Sequence, residues 1–166
     1  MSPILPAALK SPANRSRVLV LIVVSIALVG GSVFLMNPGG SDTILVAFPS
    51  GAVLETEVAD TPEKLLFGLA FRESLPPGSG MLYIFETSDR HRVRTTAFTF
   101  PVDIIWVDES HHVVDVHPNA APCPREPCVA YGPPVENARY VIETAAGFAQ
   151  QEHVAPGMEL KFTLRM

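Results

Sequence analysis

The sequence predicts a β-dominated α+β domain: a small barrel-like or rolled antiparallel sheet with two short helices, preceded by one N-terminal transmembrane helix. Three observations carry this. Short β-rich runs such as MLYIFE (81–86) and DIIWVD (103–108) recur between turn signals. Only two stretches, near 62–69 and 145–154, read as helical. An uncharged apolar run, VLVLIVVSIALVGGSVFLM, precedes them all.

That run extends from Val18 to Met36, and at about 1.5 Å per residue it reaches roughly 28 Å, close to a bilayer's hydrocarbon thickness. Lys10, Arg15 and Arg17 precede it and NPGGSD follows, which places the N-terminus in the cytoplasm and the remainder outside. The expected organisation is a cytoplasmic basic segment (1–17), an anchor (18–36), a tether (37–42) and an exported globular domain (43–166). A cleaved signal peptide, with Val18–Val29 as its core and a cut near Gly30 or Ser32, is the alternative. Apolar residues that resume after Gly31 favour the uncleaved anchor, and the membrane is then a partner through that helix alone.

The chain holds 12 basic and 17 acidic residues. Setting aside Lys10, Arg15 and Arg17 leaves nine basic against 17 acidic, a formal charge of −8 beyond the anchor. Such a surface repels phosphate backbones and anionic lipid headgroups, so no nucleic-acid role is expected.

Along the exported part, Thr43–Phe48 and Ala52–Val58 flank Pro49-Ser50-Gly51 and read as a hairpin. Thr61 is placed to cap a helix whose first turn holds Pro62 and Glu63 and whose apolar stripe is Leu65, Leu66 and Leu69. Pro76-Pro77-Gly78 ends the unit, and Gly78-Ser79-Gly80 reads as a turn rather than a nucleophile elbow. Met81–Glu86 is a strand, Arg92–Phe100 is strand-like but oddly composed, and Asp103–Asp108 is the clearest buried strand. Val113–His117 follows a polar turn. Residues 118–134 hold six prolines and both cysteines and read as an irregular loop. Ala138–Thr144 is a further strand, 145–154 a short helix and 158–166 a closing strand.

Several segments in this order resemble a known family. VADTPEKLLFGLAFRESLPPGSGMLYIF, PVDIIWVD, PCPREPCVAYG and ARYVIETAAGFAQQEHVAPGMEL together are similar to domain-of-unknown-function family 192, over about 45–162. The most specific pieces are Gly68-Leu69-x-Phe71-Arg72, Gly80-Met81-Leu82 and Pro101-x-Asp103-Ile104. The resemblance implies export but no particular activity. In the family the stretch before the Pro-x-Asp-Ile element usually reads Phe-Trp-Met-Lys-Asn-Thr, whereas this chain has Val93-Arg94-Thr95-Thr96-Ala97-Phe98. If that stretch forms a ligand site elsewhere in the family, it is altered here.

Asp103 lies in an apolar run, and an unpaired buried carboxylate is costly, so Arg72 or Arg94 is the expected partner. His111, His112 and His117, with Asp108, Asp115 and the cysteines, are metal-ligand types. Without an HExxH or paired CxxC signature they read as turn residues, and no metal or cofactor is expected. In CPREPC (123–128) two thiols are too few for zinc, and prolines oppose the helix start of a redox motif. Outside the cytoplasm the pair is expected to oxidise to a Cys123–Cys128 disulfide. With no catalytic constellation assembled, the expected function is a membrane-tethered extracytoplasmic binding module for an unidentified envelope ligand. The alternative is an enzyme or metal protein built around Asp103 with Arg72, Arg94 or His117; convergence of those side chains in one pocket would favour it.

Overall fold

The computed structural model describes residues 20–23, 25, 43–132 and 136–164. The chain divides into two units, Met1–Gly40 and Ser41–Met166. In the first, Val20–Val23 are helical and exposed, and the remainder of the expected span lies outside the described residues, apart from Ser25, which is also helical. Among the described residues, no helix is long and apolar enough to cross a membrane.

The second unit is a β-dominated α+β fold. Its strands are β1 (Thr43–Ala47), β2 (Val53–Ala59), β3 (Ser79–Asp89), β4 (Val93–Arg94), β5 (Val102–Val107), β6 (Val113–Ala120), β7 (Ala130–Tyr131), β8 (Ala138–Ala145) and β9 (Lys161–Leu164). Helix α1 is Pro62–Phe67 and helix α2 is Phe148–Gln151. Seven strands form one sheet in the order β6-β5-β8-β3-β2-β1-β9, while β4 and β7 pair separately.

The sheet is mixed, which corrects the expectation of a wholly antiparallel one: β2 and β3 run parallel, from Glu55 opposite Ser79 to Ala59 opposite Tyr83. The cause is the connection. A tight turn reverses a chain, but the link from β2 passes through α1 and delivers β3 in the same direction. By contrast, Pro49-Ser50-Gly51 makes the expected hairpin, with Gly51 at φ 95° and the Phe48 amide donating to the Ala52 carbonyl.

The two outer strands approach each other at one end. The Val113 amide donates to the Met158 carbonyl (2.9 Å), Gly157 donates to Val113 (2.8 Å) and Leu160 to His111 (2.9 Å). These bonds tie the start of β6 to the segment that leads into β9 and satisfy groups that a bare edge would expose.

Both faces of the central strands are buried, so β5 reads as a continuous apolar run rather than an alternating one. Val102, Ile104 and Trp106 join one core with Met81, Tyr83 and Val141. Ile105 and Val107 join the other, with Leu54, Leu82 and Ile142. Arg92–Phe100, expected to be strand-like throughout, is a strand only at Val93–Arg94. Thr95 and Ala97 instead bond the loop at Cys123, and Ala97 at φ 61° turns the chain. β6 extends beyond His117 through Pro118 to Ala120, further than the proline suggested. Pro118 sits on the outermost strand of the main sheet, where its missing donor is tolerated.

Candidate functional site

Among the described residues two carboxylates are fully buried, Asp103 and Glu143, and period-2 geometry separates them. On neighbouring strands, Asp103 of β5 lies opposite Thr144 of β8, and Glu143 lies opposite Ile104. A one-residue offset sends the two side chains to opposite faces of the sheet.

Asp103 is held by backbone amides, not by the arginine expected from the sequence. Its Oδ1 accepts from Asn119 N (2.7 Å) and its Oδ2 from Ala149 N (2.7 Å). The carboxylate thus ties β5 to the end of β6 and to α2. Arg72 is engaged elsewhere, in a bidentate pair with Glu57 at 2.6 and 2.8 Å. That pair lowers the Glu57 pKa and raises that of Arg72, chiefly through the side-chain hydrogen bonds. His117 packs against Tyr131, with ring centroids 4.6 Å apart and the planes tilted by 44°. Asp103, Arg72, Arg94 and His117 therefore do not converge. Among the described residues no group of three or more His, Cys, Asp or Glu side chains is placed to hold a metal ion.

Glu143 is on the other face, at the base of a half-open cleft of about 440 Å³ between α1 and the β4 segment. The Tyr83 hydroxyl donates to its Oε2 at 2.5 Å. Burial pushes the carboxyl up to about 7, although the Tyr83 hydrogen bond opposes the shift. Burial, with the adjacent Glu143 carboxyl, also holds the Tyr83 hydroxyl well above the usual phenol range. Around this polar base the walls are apolar: Leu65, Phe67, Phe85 and Phe98. At the mouth, Leu66 and Phe71 are each 76% exposed and Phe67 51%, a concentration of large apolar side chains that a closed core would have covered. Phe71 is held there at φ 64°, its amide bonded to the Ala97 carbonyl.

The disulfide loop completes one wall. Cys123 and Cys128 are joined, with Cα atoms 5.7 Å apart, as the spacing and composition led us to expect. Glu126, within the loop, accepts from Thr96 Oγ1 (3.2 Å) and from Cys128 N (2.6 Å) and itself lines the cleft. Cys123 exchanges backbone bonds with Thr95 and Ala97. The staple therefore braces the segment 95–97 that forms the cleft's side. Breaking it in a Cys123→Ser/Cys128→Ser double variant is expected to cost about 2 kcal/mol, from loop entropy alone. Urea titration measures this; a shift unchanged by reductant in the wild type would argue against the brace.

The Glu143 shift predicts an unusual pH dependence. Below about 4.5 the carboxyl is neutral both folded and unfolded, and its stabilising contribution is fully present. As pH rises towards 7 the unfolded chain releases a proton that the folded one retains, so stability falls, on the order of 3 kcal/mol in total. Glu57 works the other way: its contribution is present above the ordinary carboxylate range and lost as pH falls. Thermal melts are expected to show higher stability near pH 5.5 than near pH 8, and Glu143→Gln should flatten that slope.

Sequence reasoning missed Tyr83 and Glu143. Both sit in strands read as core, and the signal was the one used for Asp103: a carboxylate between Ile142 and Thr144 in a buried strand.

A mixed-sheet α+β domain with a single-sided apolar cleft and a buried acid at its base defines the class of protein. The chain belongs to the domain-of-unknown-function family DUF192, described as Uncharacterized ACR, whose profile matches residues 45–162. Its fold is similar to the crystal structure of a Sinorhizobium meliloti 1021 protein described as a candidate transcription regulator (25% identity, TM-score 0.63), covering 74% of this chain and 94% of that one. It is also similar to a Novosphingobium aromaticivorans DSM 12444 protein of unknown function (26% identity, TM-score 0.62), covering 72% and 83%. A search of curated proteins finds no match. The segment Val93–Phe98 is part of the cleft wall: Val93, Arg94, Thr96, Ala97 and Phe98 all line it.

Proposed function

We propose that this is a non-catalytic binding module, tethered to the membrane through residues 18–36 and facing out of the cytoplasm, that receives a small ligand in the α1–β4 cleft. The observation that carries it is the cleft itself: concave, apolar-walled, with one convergent polar pair, Tyr83 and Glu143, at its base. The disulfide supports an oxidising compartment.

A second reading, an enzyme using acid–base chemistry, rests on Glu143, since a carboxyl titrating at about 7 in a cleft is poised for proton transfer. It replaces the arrangement around Asp103, whose oxygens are committed to backbone amides.

The test is native mass spectrometry of the full-length chain purified from its membrane, beside Ala70→Trp, which fills the cleft. Binding predicts a small-molecule adduct on the wild type that is lost in the variant; an adduct equally present in both places the ligand elsewhere. For topology, a C-terminal reporter that works only in the cytoplasm should be silent.

A further inference from the structure

We infer that the cleft selects organic ammonium ligands with an apolar body, the ammonium seated against Glu143 and the body against the aromatic walls. This deepens the binding reading above and rests on it.

The argument starts from an uncompensated acid. Glu143 is 1% exposed, and among the described residues its one side-chain partner is the Tyr83 hydroxyl, a neutral donor. Taking a carboxylate out of water is unfavourable unless a cation accompanies it. The charged and titratable groups packed around it supply none. Tyr83 comes from β3. Arg72, which lies close enough to influence Tyr83, is committed to Glu57. On β5 the residue opposite is Ile104. Arg92, Arg94 and Glu126 line the cleft from exposed positions at its mouth. The domain folds around an acid whose ionised form has no counter-ion among the described residues, and the cleft is the route by which one can arrive.

The walls suit an ammonium too. Tyr83, Phe85, Phe67 and Phe98 present aromatic rings, and ring faces attract cations more strongly when water is excluded. The two arginines at the mouth oppose entry of a cation. They are solvated there, where charge interactions are weak and fall off within about 8 Å at physiological salt. Glu143 acts in a low-dielectric site, where its attraction is several-fold larger. The inner contact therefore governs selection.

The test is isothermal titration calorimetry of the full-length chain with three probes of similar shape: 2-phenylethylammonium, 2-phenylethanol and 3-phenylpropionate. The ammonium should bind at least tenfold more tightly than the alcohol. Its affinity should rise about tenfold from pH 6 to pH 8, as Glu143 gives up its proton while the amine keeps its own. Glu143→Gln should remove the preference for the ammonium and the pH slope. The contrast between the three probes and its pH slope are read on the wild type as well, which covers the case in which Glu143→Gln fails to fold. Equal binding of alcohol and ammonium, or a preference for the propionate, overturns the ammonium proposal while leaving the cleft as a binding site. Failure of all three to bind overturns both.

Discussion

Asp103→Asn lowers the stability of the domain by about 3 kcal/mol, and its melting temperature by roughly 10 °C for a domain of this size. The carboxylate accepts two backbone amides with two separate oxygens, Asn119 N on one and Ala149 N on the other, both at 2.7 Å. An asparagine presents one oxygen and one NH2 group. Whichever way the amide is turned, an N–H donor meets another donor in a fully buried position. The cost is then the lost charge-assisted bond plus an unsatisfied buried group, two effects that act in the same direction. Thermal denaturation checks it. An unchanged midpoint would mean that water reaches Asp103 despite its 0% exposure.

Gly68→Ala is expected to cost about 3 kcal/mol and to empty the cleft of its polar base. Gly68 closes α1 at φ 49° and ψ −123°, a conformation that residues with a Cβ avoid. The added methyl would overlap the Tyr83 hydroxyl, the group that donates to Glu143. Strain at Gly68 and displacement of Tyr83 are separable. In a Tyr83→Phe background the hydroxyl is gone, so Gly68→Ala should cost less there than in the wild type, the remainder being backbone strain. Urea denaturation of the four chains measures the coupling. Additive costs would show that the methyl and the phenol do not meet.

The sequence displayed the strands well where local chemistry decided them. Pro49-Ser50-Gly51 set the first hairpin, and Asp103–Asp108 showed its burial as an unbroken apolar run. CPREPC, read with the uncharged segment before it, indicated the disulfide. Legibility failed where a residue's fate depended on distant chain. Arg72 was the natural mate for Asp103 by charge, but a residue 15 positions away on β2, Glu57, holds it. The parallel pairing of β2 and β3 depends on where the α1 crossover lands, which no local pattern records. Glu143 and Asp103 look alike in one dimension, each an acid in an apolar strand. Only the register between β5 and β8 assigns one to structure and the other to the cleft.

The pairing of β1 with β9 bears on how such a chain is made. Ile44 lies opposite Leu164 and Ala47 opposite Lys161, so β1 emerges during synthesis long before its outer neighbour, which lies beyond every other strand of the sheet in the chain. The β1–β2 hairpin can form at once, but its far edge stays open until Lys161–Leu164 have emerged. Contacts of such long sequence separation slow folding and prolong exposure of an unpaired strand to other chains. A chain interrupted before Lys161–Leu164 would present β1 as a ready template for aggregation.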